Sequence, residues 1–365
     1  MKKIIFSVTN DLVYDQRMQK ICTSLSKNGF EVTLLGIRKK NSKPLGDKPY
    51  QQKRCPLFFQ KGPLLFIESN FRFLLYLLTH RADVLCADDL DTALPVLFSS
   101  IIRRSKRVFD AHELFCEMHD VISRPRIYKI WKSIEKFCQP RFPLGYTENE
   151  GYAAAYYKMY GVRYFIVMNS PYLQPTPKMD DKREHSLIYQ GVVEKGRGFE
   201  GLVPAMKNID AKVIVCGNGT YLEEVLSRIQ REEVSDKFDF KGFVLPQDLR
   251  QYTGQAYIGL NLNDNLGASF FLSLSNRFFD YMHAAIPQVS MNYPENKKIN
   301  NEYEIGLLID DLKPDSIASA INRLLEDKQL YLRLQANCLK AREIYNWNHE
   351  EKKLVSFYKS ITEPY

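Results

Sequence analysis

The sequence reads YQGVVEKGRGFEGLVPAMKNIDAKVIVCG from Tyr189 to Gly217. An apolar strand ends at Gly191, a helical segment lies near 199–207, and a second apolar strand covers 211–217. Strands that are apolar throughout belong to parallel sheets covered on both faces, because the intervening helices pack on the sheet. This stretch therefore predicts a βαβ unit within a doubly wound α/β fold.

The same alternation runs through most of the chain. Before the proline-rich, charged linker at 169–186, predicted strands cover 3–8, 31–37, 82–87, 106–111, 144–147 and 163–168. After it, predicted strands cover 186–191, 211–217, 238–243, 256–262 and 288–291. A chain of 365 residues is too long for one hydrophobic core. We therefore predict two Rossmann-like domains, 1–168 and 169–345, with their ligand-binding sheet edges facing an interdomain cleft.

Composition excludes several classes of protein. No apolar stretch approaches the roughly 20 residues of a membrane span, and MKKIIFSVTN lacks a signal-peptide core. Seven cysteines without a CxxC pair indicate reduced core thiols. The net charge is +8, but no run of five basic residues indicates a nucleic-acid partner. Basic clusters at 37–43 and 101–107 are either solvated surface or a patch that contacts anionic membrane headgroups.

Basic residues and glycines alternate directly after the strand that ends at Gly191. They are Lys195, Gly196, Arg197 and Gly198. The glycines permit close approach to the backbone, and the N-terminus of the helix that follows attracts negative charge. An anion site is the functional interpretation, and a basic surface loop is the alternative. The stretch NDNLGASFF (263–271) offers Gly267 in a comparable position after a later strand.

The stretch CGNGTYLEEVL (216–226) is an incomplete dinucleotide fingerprint. A dehydrogenase would need a third glycine where Leu222 stands. Gly217 and Gly219 instead predict a tight turn into a helix that Thr220 caps. The pattern therefore argues against hydride transfer.

A histidine follows the predicted strand at 106–111. In DAHELFCEMHD (110–120), His112 and His119 lie seven positions apart, and a zinc-protease helix would need histidine where Cys116 stands. We therefore predict no metal site here. Ligands bind at the carboxyl edge of parallel strands, where His112 beside Glu113 could hydrogen-bond a sugar hydroxyl. A loop histidine satisfied by the protein is the alternative.

Two acids, Asp89 and Asp91, follow the strand at 82–87 in the stretch DDLDT (88–92). Such a pair could hold a divalent ion on a diphosphate. It could also cap the following helix, where carboxylates oppose the helix dipole. We favour helix capping.

The stretch SFFLSLSNRFFDYMHAAIP (269–287) predicts a helix that starts at Ser275 and runs for about three turns. Its inward face is formed by Phe279, Met282 and Ile286. Asp280 lies beside this apolar stripe, so its carboxylate is either solvated or a ligand contact.

Taken together, these blocks resemble the family-4 glycosyltransferases, which retain anomeric configuration, use nucleotide sugars and have the GT-B fold. The resemblance covers nearly the whole chain. It rests on TNDLVYDQRMQK, ADVLCADDLDTALP and VFDAHELF in the first half, and on YQGVVEKGRGFEGL, KGFVLPQDLRQYTGQAYIGL and SNRFFDYMHAAIP in the second. It implies that the tail at 346–365 is a helix that crosses back to pack on the first domain.

The resemblance also implies roles for single residues. Arg197, assisted by Lys195, would bind the donor diphosphate, Asp280 the nucleotide ribose, and His112 would lie near the transferred sugar. Phe243 and Val244 would line the base. The further donor-binding candidates are Gly191, Gly198, Gly217, Asp264, Gly267, Asn276 and Arg277.

Two positions depart from the family pattern. Many members have arginine directly after the glycine that ends the first strand of the second domain, and Val192 stands there. A second acid eight positions before Asp280 is usual, and Leu272 stands there. Asp264 is the better match for that acid, which makes SFFLSLS an inserted segment.

The resemblance implies transfer of a hexose from a nucleoside-diphosphate sugar to a saccharide or lipid-linked saccharide in bacterial surface polysaccharide synthesis. Because Arg197 can supply the positive charge, we expect neither a metal nor a cofactor. An epimerase of the same fold and a catalytically degenerate nucleotide-binding scaffold are the alternatives. The positional candidates for acceptor binding are Tyr14, Arg17, Asp91 and Glu113.

We expect a cytoplasmic protein that lies peripherally on the inner membrane face. The basic clusters and the aromatic-rich stretch at 64–78 suit a lipid-linked acceptor. A buried helix is the alternative explanation of that stretch.

Overall fold

A computed structural model describes residues 1–177 and 184–363 of the chain. These residues form two compact units, the first made of 1–169 with 349–365 and the second of 170–348. The predicted linker at 169–186 lies partly outside the described residues, at 178–183. All seven cysteines are outside disulfides, and all but Cys55 are buried.

The first unit is built on a parallel sheet, which in the described residues has seven strands in the order β3-β2-β1-β4-β5-β6-β7. Its strands are β1 (Lys3–Ser7), β2 (Glu31–Arg38), β3 (Gln51–Pro56), β4 (Val84–Asp88), β5 (Lys106–Ala111), β6 (Gly145–Thr147) and β7 (Phe165–Ile166). Its helices are α1 (Gln16–Lys27), α2 (Pro63–Thr79), α3 (Ala93–Arg103), α4 (His119–Ile122), α5 (Pro125–Cys138) and α6 (Glu150–Tyr160). β1, β4 and β5 have buried centres because helices cover both sheet faces.

The second unit repeats this plan with a parallel sheet in the order β10-β9-β8-β11-β12-β13. Its strands are β8 (Ser186–Gln190), β9 (Lys212–Cys216), β10 (Phe238–Gly242), β11 (Ile258–Asn261), β12 (Gln288–Met291) and β13 (Gly306–Ile309). Its helices are α7 (Phe199–Ala205), α8 (Leu222–Arg231), α9 (Pro246–Gln255), α10 (Ala268–Phe271), α11 (Asn276–His283), α12 (Pro294–Tyr303), α13 (Pro314–Glu326) and α14 (Lys328–Ile344). The predicted fold class, two Rossmann-like parallel-sheet domains, is confirmed.

The last helix, α15 (Trp347–Thr362), belongs mostly to the first unit. Its Tyr358 ring packs 5.9 Å from Phe6 in β1 and 6.1 Å from Tyr146 in β6. Glu350 accepts a hydrogen bond from the Met168 backbone N–H at 2.9 Å. The helix therefore completes the apolar cover of the first sheet.

Two local predictions were wrong. α11 ends at His283, after about two turns, because Ala284 is its C-cap and Ala285 takes a positive φ of 53°. Thr220 does not cap α8, since that helix begins at Leu222 and Tyr221 occupies the N-cap position.

Candidate functional site

The basic glycine loop lies at the carboxyl end of β8, between that strand and α7. Gly198 has a φ of +82°, and a Cβ built there would lie 2.5 Å from the Leu262 Cβ atom. Both facts require glycine at this position. The Gly196 carbonyl accepts a hydrogen bond from the Asp264 N–H at 2.8 Å. The basic loop is thus joined to the loop that follows β11.

Arg197 packs on an aromatic ring from the predicted insertion. Its guanidinium carbon lies 4.8 Å from the centre of the Phe270 ring in α10. The neighbouring Phe271 packs 5.1 Å from Tyr293, whose hydroxyl donates to the Asn263 carbonyl at 2.8 Å. The segment that contains Phe270 and Phe271 is therefore anchored on Tyr293, and it holds the Arg197 side chain. Phe270 and Arg197 are far apart in the sequence, so their contact was not predictable from a motif.

Asp280 is partly exposed and has a defined partner. Its Oδ2 atom accepts a hydrogen bond from Gln190 Nε2 at 2.6 Å. The Oε1 atom of Gln190 accepts from the Thr253 hydroxyl at 2.8 Å, so the amide orientation is fixed. Gln190 precedes Gly191 at the end of β8. The structure thus brings Asp280 and the basic loop to the same end of one strand.

Arg277 has an internal role. It is buried, and its Nη2 atom donates to Asn263 Oδ1 at 2.9 Å. Its Nη1 atom donates to the Gln190 carbonyl at 3.3 Å, and its guanidinium lies 4.7 Å from the Tyr189 ring centre. These contacts tie β8 to the segment after β11. The geometry therefore gives Arg277 a supporting function in the candidate donor site.

The other donor-site candidates surround the same sheet edge. Gly217 is buried, and a side chain there would collide with the Gly191 carbonyl, so its role is close packing. Val192 is exposed, and its carbonyl accepts from the Tyr189 hydroxyl at 2.6 Å. Phe243 is exposed after β10, whereas Val244 packs on an apolar cluster. The remaining candidates lie in exposed or partly exposed positions: Lys195, Asp264, Gly267 and Asn276.

In the first unit, His112 lies at the carboxyl ends of β4 and β5 among buried acids. Its Nε2 atom lies 2.7 Å from Asp88 Oδ1 and 3.4 Å from Asp110 Oδ2. Its backbone N–H donates to Asp89 Oδ1 at 3.0 Å. Arg17 pairs with the other Asp110 oxygen at 2.7 Å. His112 was predictable from the sequence, but this charge network was not, because its members come from separate segments.

Burial and neighbouring charges together set the pKa values of this network. Burial raises the pKa of Asp88 to about 6 and that of Asp89 well above its usual range. Burial disfavours the charged imidazole, but Asp88 and Asp110 outweigh it, so the pKa of His112 is raised well above its ordinary value. Burial of Asp110 is likewise outweighed by Arg17 and His112, which lower its pKa. At neutral pH, His112 is therefore a cation and Asp110 a carboxylate.

The favoured helix-capping interpretation of DDLDT was wrong for Asp89. The structure gives Asp89 and Thr92, the residues before the 3-10 turn and before α3, no side-chain capping hydrogen bond. Asp89 instead accepts from the His112 N–H, and Asp91 accepts from the Thr9 hydroxyl. Burial raises the pKa of Asp91 to about 7. Both acids therefore hold neighbouring segments, and Asp91 also lies in the first turn of the 3-10 helix, as predicted.

The acceptor candidates differ in exposure. Arg17 is 4% exposed and is committed to Asp110, to Glu148 at 3.3 Å and to the Val167 carbonyl at 3.4 Å. Tyr14 is exposed, and Lys43 lies 5.6 Å from its ring centre. Glu113 is also exposed. The geometry thus gives Arg17 an internal function, while the other two side chains lie at the surface.

Three side chains of the charge network around His112 offer possible metal ligands. Asp88, Asp110 and His112 offer ligand atoms within 4.8 Å of one another, the one such group in ranges 1–177 and 184–363. Two atoms on an ion at about 2.1 Å would stand roughly 3 Å or more apart, and the 2.7 Å between His112 and Asp88 is shorter. The spacing suits an ion pair better, and the expectation of no metal stays a prediction.

The two Rossmann-like units belong to the GT-B fold class, and solved structures of that fold match nearly the whole chain. The chain is similar to a sucrose-phosphate synthase from Thermosynechococcus elongatus, with a TM-score of 0.83, 15% identity and 99% of both chains covered. It is also similar to Anabaena HepE in complex with UDP and glucose, with a TM-score of 0.78, 14% identity, and 99% of this chain and 100% of that chain covered. A third similar structure is WaaG, a glycosyltransferase involved in lipopolysaccharide biosynthesis, with a TM-score of 0.75, 12% identity and the same coverage.

The family is indicated by a match within the second unit. Residues 176–341 match the family of glycosyl transferases group 1. An 88-residue stretch is 31% identical to the putative glycosyltransferase YtcC of Bacillus subtilis, covering 24% of this chain and 22% of that protein. The chain therefore carries a group 1 glycosyltransferase domain in a GT-B fold, which confirms the predicted enzyme class.

Proposed function

We propose that the protein transfers a hexose from a nucleoside-diphosphate sugar to a saccharide or lipid-linked saccharide, as a retaining member of family 4. The observation that carries this proposal is Arg197, held on Phe270 beside the glycine loop at the carboxyl end of β8. Anions bind where a helix N-terminus and a fixed cation coincide. The proposal is supported by HepE, whose structures hold UDP with glucose or UDP-glucose.

The chemistry follows from where charge develops. Breaking the bond to the hexose leaves negative charge on the diphosphate, which Arg197, Lys195 and the N-terminus of α7 would stabilise. Asp280, held by Gln190, would accept hydrogen bonds from the ribose hydroxyls. His112, as a cation, would donate a hydrogen bond near the transferred sugar and would not act as a base. In this proposal the transfer needs no metal or further cofactor.

We place the reaction in bacterial surface polysaccharide synthesis, on the cytoplasmic side of the inner membrane. WaaG, which has a similar structure, is involved in lipopolysaccharide biosynthesis. A lipid-linked acceptor would bring the protein to the membrane surface.

Release of free nucleotide from a panel of UDP-, GDP- and dTDP-sugars tests the activity. We expect release from one donor to rise by at least about tenfold when the correct acceptor, a saccharide or a polyprenyl-linked saccharide, is added. Equal release without any acceptor would mean that water takes up the sugar, as in a hydrolysing epimerase of the same fold. Nucleotide binding in thermal-shift assays without release from any donor would favour a degenerate scaffold.

Asp280→Asn should weaken nucleotide binding. An amide keeps the size of the side chain but loses the charge, so we expect the Kd for the nucleotide to rise about tenfold, corresponding to roughly 1–2 kcal/mol. Isothermal titration with UDP and GDP measures this. Asp236→Asn, at a distant position in the same unit, is the control. Unchanged affinity for the accepted nucleotide would remove Asp280 from the donor site.

A further inference from the structure

One helix of the first unit is apolar on two opposite sides. The inner side of α2 buries Leu65, Ser69, Phe73 and Leu77. Its outer side carries Leu64, Ile67, Phe71 and Leu75, which are 50%, 65%, 60% and 48% exposed. A helix that is apolar all round is normally buried on all sides, so this outer stripe lacks a cover within the first unit.

Neighbouring helices extend the apolar stripe. Right-handed crossovers place α2, α3 and α5 on one face of the first sheet, and the three helices are in contact there. The outer sides of α3 and α5 expose Phe98, Ile101, Ile102, Ile130 and Phe137. The Phe98 and Phe137 rings lie 6.4 Å apart, which joins the two helices at the surface. We call this surface of α2, α3 and α5 the outer helical face.

A turn at one end of α2 adds aromatic rings to the outer helical face. Phe58 is 85% exposed and Phe59 is also exposed. Both backbone N–H groups donate to the Glu68 carboxylate, at 2.9 and 3.0 Å. Arg72 binds the same carboxylate at 2.8 Å, and its guanidinium lies 5.4 Å from the Phe58 ring centre. The exposed phenylalanines are thus held in place by α2.

The outer helical face is rimmed by positive charge. The stretches 58–79, 93–107 and 124–141 contain two acids, Glu68 and Glu135, and many lysines and arginines. Glu68 is used by the turn, and buried Glu135 pairs with Lys132 at 2.8 Å. The exposed basic side chains include Lys61, Arg104, Arg126, Lys129, Lys136 and Arg141. An apolar centre with a basic rim is complementary to a surface of anionic lipid.

We propose that the outer helical face docks on an anionic lipid bilayer, with the stripe of α2 inserted at the level of the headgroups. This deepens the proposed function and rests on its lipid-linked acceptor, which lies in such a bilayer. No helix in the described ranges combines the length and the hydrophobicity of a membrane span. A second copy of the chain is disfavoured as the partner that covers the outer helical face, because the basic rims of the two copies would face and repel each other.

Vesicle flotation tests the docking with full-length protein and no donor or acceptor, so its result is independent of transferase activity. We use vesicles of phosphatidylcholine, pure or mixed with phosphatidylglycerol at roughly two to one. We expect binding to the mixed vesicles that exceeds binding to the pure ones by at least about tenfold and that falls as salt is raised.

Two variants locate the contact. Ile67→Ser with Phe71→Ser should reduce binding by at least about tenfold, because both side chains are exposed and belong to the stripe. Lys129→Gln with Lys136→Gln should reduce it several-fold and weaken its salt dependence. Leu226→Ser with Leu332→Ser is the matched control, since both leucines are exposed in the second unit, and should bind like the wild type. Circular dichroism checks that each variant folds.

The proposal is overturned by equal binding of the wild type and the Ile67→Ser/Phe71→Ser variant. It is also overturned if the wild type binds neither the pure nor the mixed vesicles. A dimer in analytical ultracentrifugation that this variant dissociates would show that a second copy covers the outer helical face. Vesicle binding without transfer from any donor would leave the docking intact and refute the proposed activity instead.

Discussion

Arg197→Ala should lower transfer by about 10²-fold or more. The side chain would neutralise charge that appears on the diphosphate only as the bond to the hexose breaks, so its loss costs on the order of 3 kcal/mol in the transition state. The effect should fall on kcat/KM measured with the preferred nucleotide sugar. Arg197→Lys should recover only part of the activity, because lysine lacks the planar fork that binds two oxygens.

Phe270 provides a test of how Arg197 is held. A cation stacked on an aromatic ring gains about 0.5–2 kcal/mol, so Phe270→Leu should lower kcat/KM roughly threefold to thirtyfold and should add little in the Arg197→Ala background. Arg231→Ala, at an exposed position on α8, serves as the control. Transfer by Arg197→Ala at the wild-type rate would remove this residue from the donor site, whatever Phe270→Leu does.

The sequence predicted the buried strands well and the edge strands poorly. β1, β5 and β9 are apolar runs whose burial on both sheet faces follows from their composition. β3 was missed because QQKRCP lies at the sheet edge, where exposed positions accept polar side chains. β13 was also missed, since its GLLI run is only four residues long. A short apolar run can be a strand or part of a helix, and only the tertiary structure decides.

The candidate site was predictable where a motif lies within one short segment. The basic glycine loop and Asp280 belong to such segments, and the structure places both at the end of β8. Contacts between distant segments were not predictable. Arg17 was proposed from its position as an acceptor residue, but its partner Asp110 lies 93 positions away and holds it in the interior. The contacts of His112 with Asp88 and of Arg197 with Phe270 were not predictable for the same reason, since each joins separate segments of the chain.

His112→Gln should slow turnover by about 10²-fold while the Kd for the nucleotide changes little. Glutamine keeps a hydrogen-bond donor but loses the charge that would lie near the transferred sugar, and the donor-binding candidates belong to the other unit. Steady-state rates and nucleotide titration separate the two effects. A large loss of UDP or GDP affinity with unchanged turnover would instead move His112 to the donor side.

The same variant should change how stability depends on pH. The folded-state pKa of His112 is raised, so its charge stabilises the first unit fully below the unfolded-state pKa of about 6.5. This stabilisation is lost as pH rises through the folded-state value. Removing the cation leaves Asp88 and Asp110 with less compensation, which for a buried pair costs about 3 kcal/mol. His112→Gln should therefore be less stable than the wild type by about that amount at pH 6, and the difference should shrink as the solution becomes alkaline.

Urea unfolding followed by fluorescence measures this difference, because Trp131 reports on the first unit and Trp347 on the second. The wild type itself should lose stability as pH rises from 4 to 7, since burial raises the pKa of Asp88 to about 6 and that of Asp91 to about 7. Each of these carboxyl groups binds its proton more tightly in the folded state than in the unfolded state. His119→Gln, at a partly exposed position outside the charge network, is the control. A difference between the wild type and His112→Gln that grows towards alkaline pH would contradict a charged His112 and would mean that the imidazole is buried in its neutral form.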